Sequence, residues 1–228
     1  MISAIVTDIE GTASSLSFVQ DVLFPYAREH IRTFVLENAQ GRAAPHINAV
    51  RAEAGSMELS LAQVADRLIQ WIDEDKKITA LKALQGMVWE QGFKNGDFKG
   101  HVYTDAVEYL RTWQNQGVKL YVYSSGSIFA QKLLFGFSDF GDLTPLFSGY
   151  FDTTTGAKFD VESYRKIAAA IHLPVHEILF LCDIEKELDA ARTAGMQTLW
   201  LVREGRLDPH AVHPQVRNFH GINVERIG

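Results

Sequence analysis

Four short apolar stretches stand out along the chain, and each ends abruptly at a polar residue or turn. Residues 2–7 are apolar and partly β-branched and stop at Asp8; residues 118–123 stop at Ser124-Ser125-Gly126; residues 178–182 stop at Asp183; residues 197–202 form the fourth. Continuous apolar runs of this length suit strands buried on both faces. Between them the apolar positions recur every three or four residues. Asp105 with Glu108 is expected to cap a helix through Val107 and Leu110 to Trp113, with Gly117 as its stop. Val161, Tyr164, Ile167, Ala168 and Ile171 share a helical stripe behind Asp160, a predicted N-cap. Residues 185–194 form a short helix closed by Gly195. Strands alternating with helices imply βαβ units, hence an α/β fold with a mostly parallel, Rossmann-like sheet.

Residues 17–99 break this alternation, with helical periodicity almost throughout. Phe18, Val22 and Tyr26 share a face, and Pro25 marks a kink or a restart. Ser60 and Gln63 have capping-box spacing ahead of Leu61, Val64, Leu68, Ile69 and Ile72. Leu81, Leu84 and Val88 make a further stripe. Residues 11–15 and 94–100 read as hinges and residues 40–45 as an internal loop. The expected organisation is an α/β core from residues 1–16 and 100–228, with a helical unit, residues 17–99, inserted after the first strand.

Composition narrows the functional classes. The chain has 228 residues, of which 46% are hydrophobic, enough for a real core and against a mainly disordered chain. A formal charge of −6 argues against a nucleic-acid coat, which needs a basic face. It leaves room for a small phosphate ligand held by one or two cations or a metal. The lone cysteine, Cys182, excludes an intrachain disulfide and a thiolate zinc cage. No run of about 18 apolar residues suggests a membrane span, and the start has no signal-peptide pattern. A cytoplasmic protein is expected, monomeric by default.

Asp8, Ser124 and Asp183 all fall just past the C-terminal ends of predicted strands, where an open parallel sheet forms its ligand crevice. In Asp8-Ile9-Glu10-Gly11-Thr12 two carboxylates lie two residues apart at a turn. One can act as nucleophile while the other handles a proton. Ser124 and Ser125 offer hydroxyls and backbone amides at a helix start, a cradle for phosphate. Lys158 can bring an ammonium to phosphate and nucleophile. Asp8 and Asp183 supply hard oxygen ligands for magnesium, with Glu187, one helical turn on, orienting metal-bound water. Taken singly each signal has a plainer reading: a solvated acidic loop, an ordinary serine N-cap, a solvated lysine.

Together, Asp8-x-Glu10-x-Thr12, then Ser124, Lys158 and Asp183 resemble the four-motif signature of the haloacid dehalogenase-like superfamily, in order and on the right elements. The helical insert resembles that superfamily's cap. Residues 7–12, 17–27, 100–105, 121–127 and 131–136 are similar to the enolase-phosphatases of methionine salvage, and Glu10 is a specific mark of them. The resemblance implies conversion of 2,3-diketo-5-methylthiopentyl 1-phosphate to acireductone plus phosphate, with one Mg2+ per chain. It implies Asp8 as nucleophile forming an aspartyl phosphate and Glu10 as acid then base. Ser124, Ser125 and Lys158 would grip phosphate. Asp8 and Asp183 would bind the metal through carboxylates and Glu10 through its backbone carbonyl. Glu10 and a metal-bound hydroxide both stand as the base for enolisation.

Other readings carry their own marks. Another phosphatase of the superfamily shares the four motifs. A dehalogenase needs neither metal nor an acid at position 10. A phosphoacceptor signalling module needs Asp8 but not Glu10. Phe18, Phe24, Trp89 and Phe93 are candidates to meet an apolar substrate tail, with core packing the simpler expectation for each. Of the eight histidines, His210 and His213 are flanked by Pro209 and Pro214, which argues against a helical metal pair, and His101 suits a hinge or hydrogen-bonding role.

Overall fold

The computed structural model describes residues 1–225, so the last three positions of the expected core segment lie outside the described residues. In chain order the elements are β1 (Ala4–Thr7), α1 (Leu16–Phe18), α2 (Phe24–Glu37), α3 (Ala44–Glu53), α4 (Leu61–Asp73), α5 (Thr79–Asn95) and α6 (Thr104–Asn115). They continue with β2 (Lys119–Tyr123), α7 (Ile128–Gly136), β3 (Gly149–Phe151), α8 (Val161–Ile171), β4 (Ile178–Cys182), α9 (Glu185–Thr193), β5 (Gln197–Leu201) and β6 (Gln215–Val216). The chain divides into two compact units, Met1–Leu16 with Gly100–Gly228, and Ser17–Lys99. No helix among the described residues is long and apolar enough to cross a membrane.

The first unit is built on a six-stranded sheet in the order β3-β2-β1-β4-β5-β6, with every pair parallel. Every position of β1 and β4 is buried, as their unbroken apolar runs require. Phe180 on β4 packs with Tyr123, Tyr164 and Ile167 in a core that α8 and α9 complete. Register decides what happens at the strand ends. Thr7 pairs with Val122 on one side and Leu181 on the other, so Asp8, Ser124 and Asp183 emerge at one edge of the sheet. Because β1 has β2 on one flank and β4 on the other, this edge is a topological switch point. The sequence reading did not anticipate β3 and β6, which have three and two half-buried residues and lack an apolar run.

The helical unit closes its own core around Ile31, Val35, Ile47, Val50, Val64, Leu68, Leu81, Leu84 and Val88. The capping box of α4 is present in both directions: Ser60 Oγ accepts from Gln63 N at 3.3 Å, and Gln63 Oε1 accepts from Ser60 N at 2.9 Å. Pro25 does not restart the helix. The chain stays helical from α1 through a π-helical stretch, Val19–Leu23, into α2, and Pro25 follows that stretch directly, where the wider turn accommodates a residue without an N–H. The expected loop at residues 40–45 is shorter than it looks, because Pro45 stands in the first turn of α3. Phe18 and Phe93 are buried, each against Phe98, and Trp89 donates to Leu23 O at 2.7 Å beside Phe24. Core packing accounts for these contacts.

Asp105 departs from its expected capping role. Tyr103 is the N-cap of α6 and offers no side-chain bond. Asp105 instead accepts Arg203 Nη1 on both oxygens at 2.9 Å and the Phe219 N–H at 2.8 Å. Burial by itself would raise this carboxyl; the Arg203 bond and the Phe219 N–H outweigh it and hold it below the usual carboxylate range. A carboxyl depressed on folding stabilises above its unfolded pKa, and that contribution fades as pH falls through the folded value. Asp105→Asn should therefore lose about 3 kcal/mol at neutral pH. In thermal unfolding the gap to wild type should narrow as the pH drops below about 4.

Candidate active site

Asp8 follows β1 directly and is 3% exposed. Its backbone N–H donates to Leu181 O at 2.9 Å, continuing the β1–β4 ladder one step past the strand. Its Oδ1 accepts Lys158 Nζ at 2.5 Å. The same ammonium lies 2.6 Å from Glu187 Oε2, and Lys158 and Glu187 are both 6% exposed. Burial alone would make the ammonium shed its proton; Asp8, then Cys182 and Glu187, reverse that and hold Lys158 well above its ordinary value. Tyr164 OH donates to Lys158 O at 2.7 Å and fixes the backbone that carries the lysine.

Glu187 has a partner that the sequence reading did not anticipate. Its expected task was to orient metal-bound water. The structure sets its carboxylate on Lys158, because a buried ammonium beside one carboxylate gains from a second. Cys182 Sγ donates to Glu187 Oε2 at 3.1 Å, so the last residue of β4 helps hold that carboxylate. Asp8, Cys182 and Glu187 place one ligand atom each within 4.8 Å of one another, a spacing that suits a metal ion. Lys158 already contacts both carboxylates of this trio. Asp183 stands toward the other oxygen of Asp8. There Cys182 Sγ lies 3.9 Å from both Asp8 Oδ2 and Asp183 Oδ1. Burial first, and Asp8 second, push the Asp183 carboxyl up to about 7. Two crowded, desolvated carboxylates of this kind are the hard oxygen donors that magnesium takes.

Glu10 is half-buried, and burial, then the Asp8 charge, raise its carboxyl above the ordinary value despite Lys158. Ser124 is fully buried at the end of β2; its Oγ donates to Glu10 Oε2 at 3.4 Å and accepts from Gly126 N at 3.1 Å. Ser127 caps α7, with its Oγ accepting from Ala130 N at 3.2 Å. Asp8, Glu10, Ser124, Lys158 and Asp183 are thus brought together by direct bonds or mutual charge. Ser125 follows Ser124 at the same turn and is exposed.

The turn after β1 makes this possible. Gly11 has φ +74°, and a Cβ there would lie 2.2 Å from Asp183 Oδ2. Only glycine lets the Glu10 loop pass so close to the acid after β4. Arg203, just beyond β5, donates to Thr12 O from Nε at 2.9 Å and Nη2 at 2.7 Å. His101 Nδ1 accepts from Ser15 N at 3.0 Å, which is a hydrogen-bonding role at the end of the same turn. His213, one of the two histidines flanked by prolines, lies buried between Thr198 Oγ1 at 2.8 Å and Asp189 Oδ1 at 3.0 Å. The sequence reading missed Arg203, since nothing near position 203 marks it as a partner of position 12.

No family model matches the chain. The sheet order and the strand-end acids are those of the haloacid dehalogenase-like fold. A phosphatase of that class from Thermococcus onnurineus superposes with a TM-score of 0.61 at 15% identity over 96% of this chain and 95% of its own. The UTR4 protein of Saccharomyces cerevisiae superposes with a TM-score of 0.82 at 31% identity, covering 97% of this chain and 100% of that one. Relatives named enolase-phosphatase E1 are 59% identical in Pseudomonas aeruginosa and 56% identical in Erwinia tasmaniensis, each over 226 residues and at least 98% of both chains. The chain belongs to the enolase-phosphatase E1 family.

Gly11→Ala should lower stability by more than about 1 kcal/mol, through left-handed strain and the clash with Asp183. A crystal structure of that variant should show the Asp183 carboxylate displaced.

Proposed function

We propose that this enzyme converts 2,3-diketo-5-methylthiopentyl 1-phosphate to an acireductone and inorganic phosphate. The observation that carries the reading is the buried Asp8–Lys158 pair with Glu10 two residues away, its carboxyl raised toward the protonated form. Asp8 attacks phosphorus, forming a phosphorus–oxygen bond as the bond to the leaving enolate oxygen breaks. Glu10 gives its proton to that oxygen and then takes one from the water that hydrolyses the aspartyl phosphate. An acid needs a raised pKa for the first step, and burial beside Asp8 supplies it. Lys158 holds the Asp8 carboxylate by a direct bond and faces the phosphate's negative charge. Ser124 and Ser125 hold the phosphoryl oxygens through the hydroxyl and the backbone amide.

Asp8 and Asp183 are the carboxylates that would hold Mg2+, with the Glu10 backbone carbonyl as a third ligand. Magnesium bound there would neutralise phosphate charge and polarise the diketone. The helical unit, residues 17–99, acts in this reading as the cap. In this reading Glu10 is one candidate, from this chain's own side chains, to take the proton for enolisation. A pure phosphoacceptor module has no use for a raised acid two residues from its nucleophile, which favours turnover over storage.

Asp8→Asn should abolish phosphate release from the diketone phosphate. Glu10→Gln should slow it by about 10^2- to 10^4-fold. Proton NMR of the reaction mixture should show whether an enol phosphate accumulates in that variant, which separates the two half-reactions. Chelation by EDTA should stop release, and added Mg2+ should restore it. Full activity in Asp8→Asn would refute the assignment.

A further inference from the structure

Gln131 on α7 is 2% exposed, yet its amide is only partly satisfied. Nε2 donates to Gly126 O at 2.8 Å and to Phe151 O at 2.9 Å. Oε1 has no partner among the described residues. Turning the amide over would set Oε1 against two carbonyl oxygens, so the two acceptors fix its orientation. A buried orphan acceptor is unfavourable, and methionine would fill the same space without one. What the amide adds is a pair of donors for two particular carbonyls.

Both carbonyls frame the turn that carries Ser124. Phe151 O also accepts Ser124 N at 3.3 Å. Gly126 N donates to Ser124 Oγ at 3.1 Å, and Ser124 Oγ donates to Glu10 Oε2 at 3.4 Å. Contacts therefore run without a break from Gln131 through Gly126 and Ser124 to Glu10. Gly126 is the conformationally loosest member of that chain. Its peptide group is planar, so fixing Gly126 O also fixes the direction of the next N–H. With Gly126 N spent on Ser124 Oγ, the serine proton is directed to Glu10.

We propose that Gln131 is a positioning residue that presets the Ser124–Gly126 turn for a phosphate group before substrate binds. The proposal rests on the phosphatase reading above and deepens it. Preorganisation of this kind raises affinity by removing an ordering cost, so its loss is read in binding more than in the chemical step.

The test compares wild type, Gln131→Met, Ser124→Ala and the double variant, each checked for folding by circular dichroism and thermal melting. Steady-state kinetics with the diketone phosphate give KM and kcat, and inorganic phosphate serves as competitive inhibitor. Gln131→Met should raise KM and the phosphate inhibition constant together by about tenfold, with kcat changed by less than about threefold. In the Ser124→Ala background the same substitution should change KM by less than about threefold, because Gln131 acts through Ser124. A glutamine that only supports the fold would lower the melting temperature, leave KM and phosphate inhibition at wild-type values, and act equally in both backgrounds; that result overturns the proposal. If Gln131→Met is recovered unfolded, Gln131→Asn, which keeps the amide but falls one methylene short, is held to the same two criteria. If Ser124→Ala itself behaves as wild type, the phosphate-turn assignment fails and the role of Gln131 falls with it.

Discussion

An ammonium group with almost no solvent contact must have its charge answered within hydrogen-bonding distance, or it gives up its proton or leaves the interior. Lys158 meets this demand with Asp8 on one side and Glu187 on the other, at 2.5 and 2.6 Å. The three groups come from the end of β1, the segment before α8, and the first turn of α9. Their electrostatic balance therefore ties together elements that are far apart in sequence. Removing any one would leave an uncompensated charge in the core, which is among the more destabilising changes a fold can suffer. The same contacts hold the Asp8 carboxylate in one orientation, in a place from which water is largely excluded.

The sheet explains why these groups meet. Parallel pairing of β1 with both β2 and β4 sets the strand ends level. The turn at Gly11 then folds the Glu10 segment against Asp183. On the far side of β1, Ser124 reaches Glu10 from the end of β2. Glu10 thus lies among a second carboxylate, a lysine and a serine hydroxyl, and burial and Asp8 together favour its protonated form. The two carboxylates, two residues apart, thus have different surroundings: Asp8 is bonded to Lys158, whereas burial and the Asp8 charge raise the Glu10 carboxyl.

Much of this was legible in the amino-acid order. The strands that carry Asp8 and Asp183 are apolar and buried throughout, and the one before Ser124 is apolar but for the exposed Lys119, short runs that turn signals bound as strands. Ser60 with Gln63 and Asp160 marked helix starts because capping is local chemistry. Contacts set by tertiary approach were harder to see. Nothing near Glu187 reveals that its partner lies 29 residues upstream at Lys158. Asp105 looked like a cap because aspartate at a helix start usually is one, but a guanidinium from beyond β5 took both of its oxygens. Strands β3 and β6 were missed because edge strands of two or three residues carry no periodicity.

The central claim is that Asp8 becomes covalently phosphorylated during turnover. Rapid quenching of the enzyme with the diketone phosphate, followed by borohydride reduction and peptide mass spectrometry, tests it directly. An acyl phosphate at Asp8 is reduced to homoserine, so the account predicts homoserine at position 8 in enzyme quenched during turnover and none in enzyme without substrate. Steady phosphate release with aspartate intact at position 8 in every quenched sample would contradict it.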